Sequence, residues 1–194
     1  MMHIKPIKPI VIDLDGAVAD FTAAVEDHFG EPNSRSEYSL ETWYPCMDKA
    51  YLEAFVNDPQ VYADLQMIKG AWTGLEELKA RGHTLIVVTA RPLAAEDATR
   101  QWIRENGIGY MITETYVVGR KDKANKIDSL CPIAALDDDL YLLNSLNVGI
   151  NRLLFTQPWN LKYDVFPKTL WYRVLGWDDI RTYFNLLDSE RSEE

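Results

Sequence analysis

Pro9-Ile-Val-Ile-Asp-Leu-Asp-Gly16 is an apolar, β-branched run that breaks off in two aspartates and a glycine. A continuous run of this kind suits a strand covered on both faces, the situation of a parallel sheet. Acids are disfavoured inside strands, so Asp13 and Asp15 mark the strand's end, and side chains two apart on an extended chain point the same way. Two carboxylates held that close repel, so one stays protonated or a cation sits between them. Gly16 then lets the backbone turn sharply. By itself the tetrapeptide Asp13-Leu-Asp-Gly16 is equally compatible with an ordinary acidic turn.

Runs of the same character recur downstream. Thr84-Leu-Ile-Val-Val-Thr89 reads as a second buried strand, and Thr115–Val118, Ile133–Leu136 and Arg152–Phe155 as weaker ones. Amphipathic stripes separate them. Trp72, Leu75 and Leu78 precede a stop at Gly82, and Ala95, Ala98 and Trp102 end before Gly107. Leu140, Leu143 and Leu146 form a third stripe, and Ile180, Tyr183, Phe184 and Leu187 a fourth with Asp178 placed to cap it. Strands alternating with helices predict right-handed crossovers and an α/β fold, a doubly wound Rossmann-like parallel sheet.

Residues 20–67 break this alternation, because they contain no strand pattern. Val18, Phe21, Val25 and Phe29 fit one helical face and Met47, Tyr51 and Phe55 another, with the turn-rich Glu31-Pro-Asn-Ser-Arg-Ser36 between them. The expectation is a small helical cap over 20–67, inserted after the first strand into a core made of 1–19 and 68–194.

Composition sets the outer bounds. The 194 residues suffice for one domain with an insertion, and 47% hydrophobic with 26% charged residues is ordinary for a soluble protein. No apolar run has membrane-spanning length, and the first ten residues lack a signal-peptide pattern, so a cytoplasmic location is expected. Cys46 and Cys131 lie far apart without metal-type spacing and read as buried or neutral thiols in a reducing compartment. A net charge of −10 disfavours a nucleic-acid polymer or an anionic membrane as partner, but allows a small phosphate held by a few local cations. Asp188 to Glu194 reads as a frayed polar end.

Three further features carry chemistry. Asp137-Asp138-Asp139 follows the run Ile133–Leu136. In a parallel sheet the strand carboxyl ends share one edge, where ligands bind at the point of reversed strand order, so this triplet converges with Asp13 and Asp15. A hard, oxygen-liganded cation such as Mg²⁺ suits that convergence, although one of the three acids is expected to start the following helix. Thr89 ends another strand; its hydroxyl suits either an anionic oxygen or a helix cap. Arg120-Lys-Asp-Lys-Ala-Asn-Lys126 is a basic island in an acidic chain, from which one lysine can neutralise a phosphate.

Asp13-Leu-Asp-Gly16, Thr89, a lysine near 123 and the Asp137-Asp138 pair resemble, in this order, the four motifs of the haloacid-dehalogenase-like phosphatases. Within these, the chain is most similar to the 5′(3′)-deoxyribonucleotidases. Asp13-Leu-Asp-Gly-Ala-Val-Ala-Asp-Phe21 resembles their opening signature, with Ala17-Val18 where Val-Leu is typical. Asp58-Pro59, Asp64-Leu65 and Gly70-Ala71 resemble the end of their cap, and Leu154-Phe-Thr156, Asn160 and Trp177 their tail. The resemblance implies that Asp13 is the nucleophile and forms an aspartyl-phosphate. Asp15 would protonate the leaving alkoxide and then activate water. Mg²⁺ would be held by Asp13, the Asp15 backbone carbonyl and Asp138. Thr89 and Lys123 would bind phosphate, with Lys123 preferred over Lys121 and Lys126, and Phe21 would stack on the base.

The chain departs from that pattern where a second hydroxyl usually follows the threonine: Ala90 and Arg91 stand there, and Arg91 would replace the lost contact with a charged fork. Trp43 and Tyr44 either line the base pocket or pack the cap. The implied partner is a small nucleoside monophosphate, with room left for a homodimer. Rival readings are the same chemistry on a sugar phosphate or a polynucleotide 3′-phosphate, a phospho-accepting signalling domain, and a non-catalytic binding module. The helical insertion and the Asp-x-Asp-Gly turn disfavour the signalling domain, and the complete motif set disfavours the binding relic.

Overall fold

Ile10, Val11 and Ile12 are each at most 1% exposed, because the strand they form is the third of six in a sheet flanked by helices on both faces. The computed structural model describes residues 8–163 and 171–192. Its strands are β1 (Ile10–Ile12), β2 (Leu85–Thr89), β3 (Ile112–Val117), β4 (Ala134–Asp137), β5 (Asn151–Phe155) and β6 (Trp171–Val174). All pairings are parallel, in the order β3-β2-β1-β4-β5-β6. The chain winds outward to β3, returns to the centre and winds outward again, so strand order reverses between β1 and β4. That is the doubly wound α/β sheet expected from the sequence.

Between β1 and the next core helix lie α1 (Phe21–Phe29), α2 (Leu40–Trp43), α3 (Lys49–Asn57) and a 3₁₀ turn at Pro59–Tyr62. The remaining helices are α4 (Ala71–Ala80), α5 (Glu96–Glu105), α6 (Arg120–Ser129), α7 (Leu140–Ser145) and α8 (Trp177–Ser192). Alternate residues of a strand face opposite sides of a sheet, and the core divides accordingly. Ile10, Ile12, Leu85 and Val87 pack with Leu75, Leu78, Trp102 and Phe184 on one face. Val11, Ile86 and Val88 pack with Ile127, Leu143 and Leu154 on the other. The segment after β1 has a cluster of its own, Val25, Trp43, Tyr44, Leu52 and Phe55, joined by Trp159 from beyond β5. Two backbone bonds tie its ends together, Asp20 N to Gln66 O at 2.8 Å and Ile68 N to Val18 O at 2.8 Å.

Several boundaries differ from the sequence reading, each for a local reason. Val18 lies in the turn before α1, because Asp20 accepts from Ala23 N at 3.0 Å and starts the helix at Phe21. β3 begins at Ile112, three residues early; it is an edge strand whose Thr113 and Glu114 are exposed, so no apolar run marks it. β6, the other edge, is also only half-buried, and Arg173 interrupts its apolar residues. α8 starts one residue before Asp178, which pairs with Arg181 (2.9 Å) within the first turn, while the neighbouring Asp179 accepts from Leu175 N at 2.8 Å. The helix continues through the residues expected to fray, because Asp188 is tied to the buried His83 at 3.0 Å. Glu193 and Glu194, and the amino-terminal Met1 to Ile7 with its expected lack of a signal sequence, lie outside the described residues. Cys46 and Cys131 are both exposed and free, not buried.

The tightest packing on the α4–α8 side tests this arrangement. A Cβ at Gly74 would stand 2.2 Å from Cε3 of Trp177, a residue 2% exposed whose indole donates to Ala17 O at 2.8 Å. Gly74→Ala is expected to cost about 1–3 kcal/mol through overpacking, lowering Tm by about 2–4 °C per kcal/mol. A melt unchanged from wild type would show that α8 does not seat there.

Candidate active site

The carboxyl ends of β1, β2 and β4 open on one edge of the sheet, and a cavity of about 560 Å³ sits over it. Asp13 follows β1, Thr89 ends β2 and Asp137 ends β4. Asp13, Asp15, Phe21, Thr89, Arg91, Lys123 and Asp138 all line this cavity. Residues separated by more than a hundred positions meet because parallel strands deliver their ends to a common edge.

Lys123 organises the centre. It lies in the first turns of α6, is 4% exposed, and its Nζ is 2.7 Å from Asp13 Oδ2 and 2.8 Å from Asp137 Oδ2. Burial opposes its charge, but Asp13 and Asp137 outweigh burial and push its pKa up. Lys121 is exposed, and Lys126 stands over the Tyr116 ring at 3.4 Å, so neither shares this position. The other Asp13 oxygen accepts from Leu14 N at 2.8 Å. Asp137 also accepts from Asp139 N at 2.9 Å.

Asp13, Asp137 and Asp138 bring carboxylate oxygens within 4.8 Å of one another, all buried. Three carboxylates and one ammonium leave two uncompensated negative charges in a site with little water to screen them. The Asp13 pKa is accordingly raised from its ordinary 3.8 to about 7, by burial first and then by Asp137 and Asp15, with Lys123 pulling the other way. Burial, Asp137 and Asp13 hold Asp138 well above the usual carboxylate range. Among the described residues no donor hydrogen-bonds the Asp138 carboxylate, and it rests against Gly16, where a Cβ would lie 2.8 Å from its Oδ2. At φ +80° Gly16 also occupies backbone space that L side chains avoid. A buried, donor-free carboxylate beside a second one fits a divalent oxygen-liganded cation. Asp139 stands apart: it caps α7, accepting from Tyr141 N (2.9 Å) and Leu142 N (3.1 Å), and pairs with Arg120 at 3.0 Å.

Asp15 faces a different cation. Arg91, two residues past the end of the neighbouring β2, grips its carboxylate with Nε and Nη2, the shortest contact being 2.7 Å. The fork expected to meet phosphate is therefore engaged by Asp15. Thr89 is 1% exposed and its hydroxyl accepts from Arg91 N at 3.3 Å; α5 starts only at Glu96, so Thr89 is no helix cap. Phe21 opens α1, lies parallel to the Tyr62 ring (10°, centroids 5.8 Å apart) and tilts against Phe55. Trp43 lines the cavity while donating to Glu37 O; Tyr44 packs the aromatic cluster and donates to Gly30 O at 2.6 Å.

Tyr38 and Gln157 escaped the sequence reading, and Asn160 entered it only as part of the tail that resembles the family. Tyr38, 44% exposed as a whole, lines the cavity; burial of its hydroxyl first, and then the charges of Asp138, Asp15 and Asp13, drive its pKa well upward. Gln157 donates to Gly16 O at 2.8 Å and fixes the turn after Asp13 and Asp15. Asn160, 1% exposed, donates to Asp138 O (3.0 Å) and Phe155 O (2.8 Å) and is itself held by Arg173 at 2.9 Å. Isolated polar residues in loops carry no periodic signal.

Among solved structures, the fold is shared with the magnesium-bound YfnB of Bacillus subtilis (14% identity, TM-score 0.61, 93% of this chain and 100% of that one). It is shared equally with a predicted phosphatase from Clostridium acetobutylicum (14%, 0.62, 92% and 98%) and an L-2-haloacid dehalogenase from Xanthobacter autotrophicus (11%, 0.58, 92% and 98%). No curated protein sequence matches significantly. Residues 5–184 match the family described as "5′ nucleotidase, deoxy (Pyrimidine), cytosolic type C protein". With a haloacid-dehalogenase-like fold and that match over most of its length, the chain belongs to the cytosolic type C deoxy-5′-nucleotidase family and is a hydrolase of the phosphatase or nucleotidase kind.

Proposed function

We propose that the chain hydrolyses (deoxy)nucleoside monophosphates to nucleoside and phosphate, with magnesium and through an aspartyl-phosphate on Asp13. The observation that carries this reading is the separation of two carboxylates by their cations. Asp13 is held by Lys123, Asp15 by Arg91, and both face one cavity. That division suits two different tasks, attack on phosphorus and proton transfer at the leaving oxygen.

Asp13, Asp138 and the Asp15 backbone carbonyl would hold the magnesium, and the magnesium would relieve repulsion between the nucleophile and the phosphate. Asp137, already engaged by Lys123 and Asp139 N, orients the lysine instead. Lys123 and Thr89 would take the phosphate oxygens, stabilising charge on the transferring group. Asp13 attacks phosphorus while Asp15 gives a proton to the departing nucleoside oxygen. Asp15 then takes a proton from the water that cleaves the aspartyl-phosphate. Residues 20–67 would serve as the cap that selects the substrate, with Phe21 under the base. The volume, about 560 Å³, falls within the range of about 300–1,000 Å³ usual for small-molecule sites.

Phosphate release from a panel of nucleoside and sugar monophosphates, with and without magnesium, tests the reading. Turnover is expected on nucleoside monophosphates and only with the metal; indifference to base and sugar would leave a general phosphatase. Phe21→Ala removes a stack worth roughly 1–3 kcal/mol. It is expected to lower kcat/KM for nucleoside monophosphates about 5- to 150-fold and to affect p-nitrophenyl phosphate much less. Equal losses would reduce Phe21 to packing against Tyr62 and Phe55.

Charge crowding gives a test independent of turnover. A carboxyl group whose folded pKa is raised lends stability below its unfolded value, 3.8, that is lost as pH rises through about 7. Metal-free protein should therefore lose stability across that window, and magnesium should raise Tm most at pH 8. Asp13→Asn should raise the metal-free Tm at pH 8, on the order of 5 °C, while abolishing turnover. Asp138→Ala should weaken the magnesium-induced rise, whereas Asp139→Ala should lose a helix cap worth about 1 kcal/mol and keep it. An unchanged magnesium response in Asp138→Ala would refute the ligand role.

A further inference from the structure

Arg91 is among the most enclosed charged residues of the molecule. Its side chain has no measurable exposure, while that of Asp15 keeps 14% toward the cavity. Nε lies 3.2 and 2.9 Å from the two Asp15 oxygens, Nη2 lies 2.7 Å from Oδ1, and Nη1 donates to Thr99 Oγ1 at 3.3 Å. The guanidinium stands 4.8 Å from the centre of the Tyr62 ring and 5.6 Å from that of Trp102. Trp102 is pinned in turn, its indole donating to Leu65 O at 2.7 Å. A buried guanidinium is costly unless paired and hydrogen-bonded, and here its partners are Asp15 and the Thr99 hydroxyl. The planar fork fixes where the carboxylate sits and how its plane is turned, which a point-charge ammonium does not.

We infer that Arg91 is a positioning residue for Asp15, aiming its carboxyl at the leaving-group oxygen and keeping it off the Asp13–Lys123–Asp138 cluster; this rests on the phosphomonoesterase reading above. In the first step Asp13 forms a bond to phosphorus as the bond from phosphorus to the leaving oxygen breaks. The electron pair goes to that oxygen, which takes the proton from Asp15. A nucleoside alkoxide needs this proton. p-Nitrophenolate spreads its charge over the ring and leaves without it. kcat/KM reports only steps up to loss of the leaving group, so the later use of Asp15 as base does not enter.

Arg91→Lys keeps the buried charge and loses the fork; Arg91→Gln loses both, and Thr99→Val removes only the Nη1 partner. Each is compared with wild type for kcat/KM on a nucleoside 5′-monophosphate and on p-nitrophenyl phosphate, with magnesium and with melts confirming the fold. Misdirecting a general acid is expected to cost about 10²-fold on the nucleotide, the low end of acid–base contributions, and several-fold at most on the aryl ester. Thr99→Val should show the same bias to a smaller degree. In an Asp15→Asn background, Arg91→Lys should cost nothing further on the nucleotide, since both act through one group. Equal losses on both substrates in folded variants would overturn the inference. So would a rise in KM with kcat unchanged on both, the signature of a phosphate-binding fork. A wild-type protein inactive on both substrates would instead defeat the phosphomonoesterase reading itself, and the inference with it.

Discussion

Anions crowded into a buried crevice each need a cation, and this requirement shapes the site more than any other. Asp13 and Asp137 share Lys123, and Asp15 takes Arg91. Asp138 is left with neither a hydrogen-bond donor nor a cation of its own among the described residues, while burial and its neighbours raise its pKa. Such an arrangement is poor for stability, since buried charge is expensive and like charges raise the cost further. It suits binding, because the unmet charge is relieved by protonation, as the raised Asp13 and Asp138 pKa values reflect, or by an added cation. A structural ion-pair network would have closed its own charge balance. This one stops two positive charges short.

The crowding persists because the backbone beneath it cannot relax. β1, β2 and β4 are adjacent and in register, so the three strand ends are fixed relative to one another by ladder hydrogen bonds. The turn after Asp13 is fastened from outside: Trp177 donates to Ala17 O and Gln157 to Gly16 O. Asn160 fastens the Asp138 carbonyl, and Arg173 on β6 holds Asn160. The far edge of the sheet thus reaches the centre of the site through one buried amide. That contact ties a half-buried edge strand to the site.

This layering explains what the sequence disclosed. Central strands announce themselves as apolar runs, and Pro9–Leu14 and Thr84–Thr89 give their positions to within a residue or two. The polar groups at their ends follow from that placement, so Asp13, Asp15, Thr89 and the triplet Asp137-Asp138-Asp139 are legible as converging groups, whereas Lys123 and Asp138 are singled out only by the family resemblance. Edge strands are half solvated and lose the signal, which is why the sequence reading places the start of β3 three residues too late and gives no strand at β6. Pairings between charged side chains are invisible to periodicity altogether. The motif context suggested phosphate for Arg91, while tertiary packing between Tyr62 and Trp102 turned it to Asp15. Likewise, Asp188 looked like the start of a loose tail because its partner, His83, lies 105 residues earlier.

The aromatic wall of the cavity is subject to the same logic of shared supports. Phe21 follows Asp20, whose side chain caps α1, and Asp20 N bonds to Gln66 O where the segment returns to the core. The ring is nine residues beyond the end of β1, at the close of a tightly bonded turn. Its stacking partner Tyr62 closes the same segment at the other end and is also the ring over which Arg91 lies. Tyr62 thus contacts both the ring that would meet a base and the cation that holds Asp15. A movement of residues 20–67 relative to the sheet would disturb both together. On the assignment proposed above, substrate recognition and the aiming of the acid would share a single buried ring.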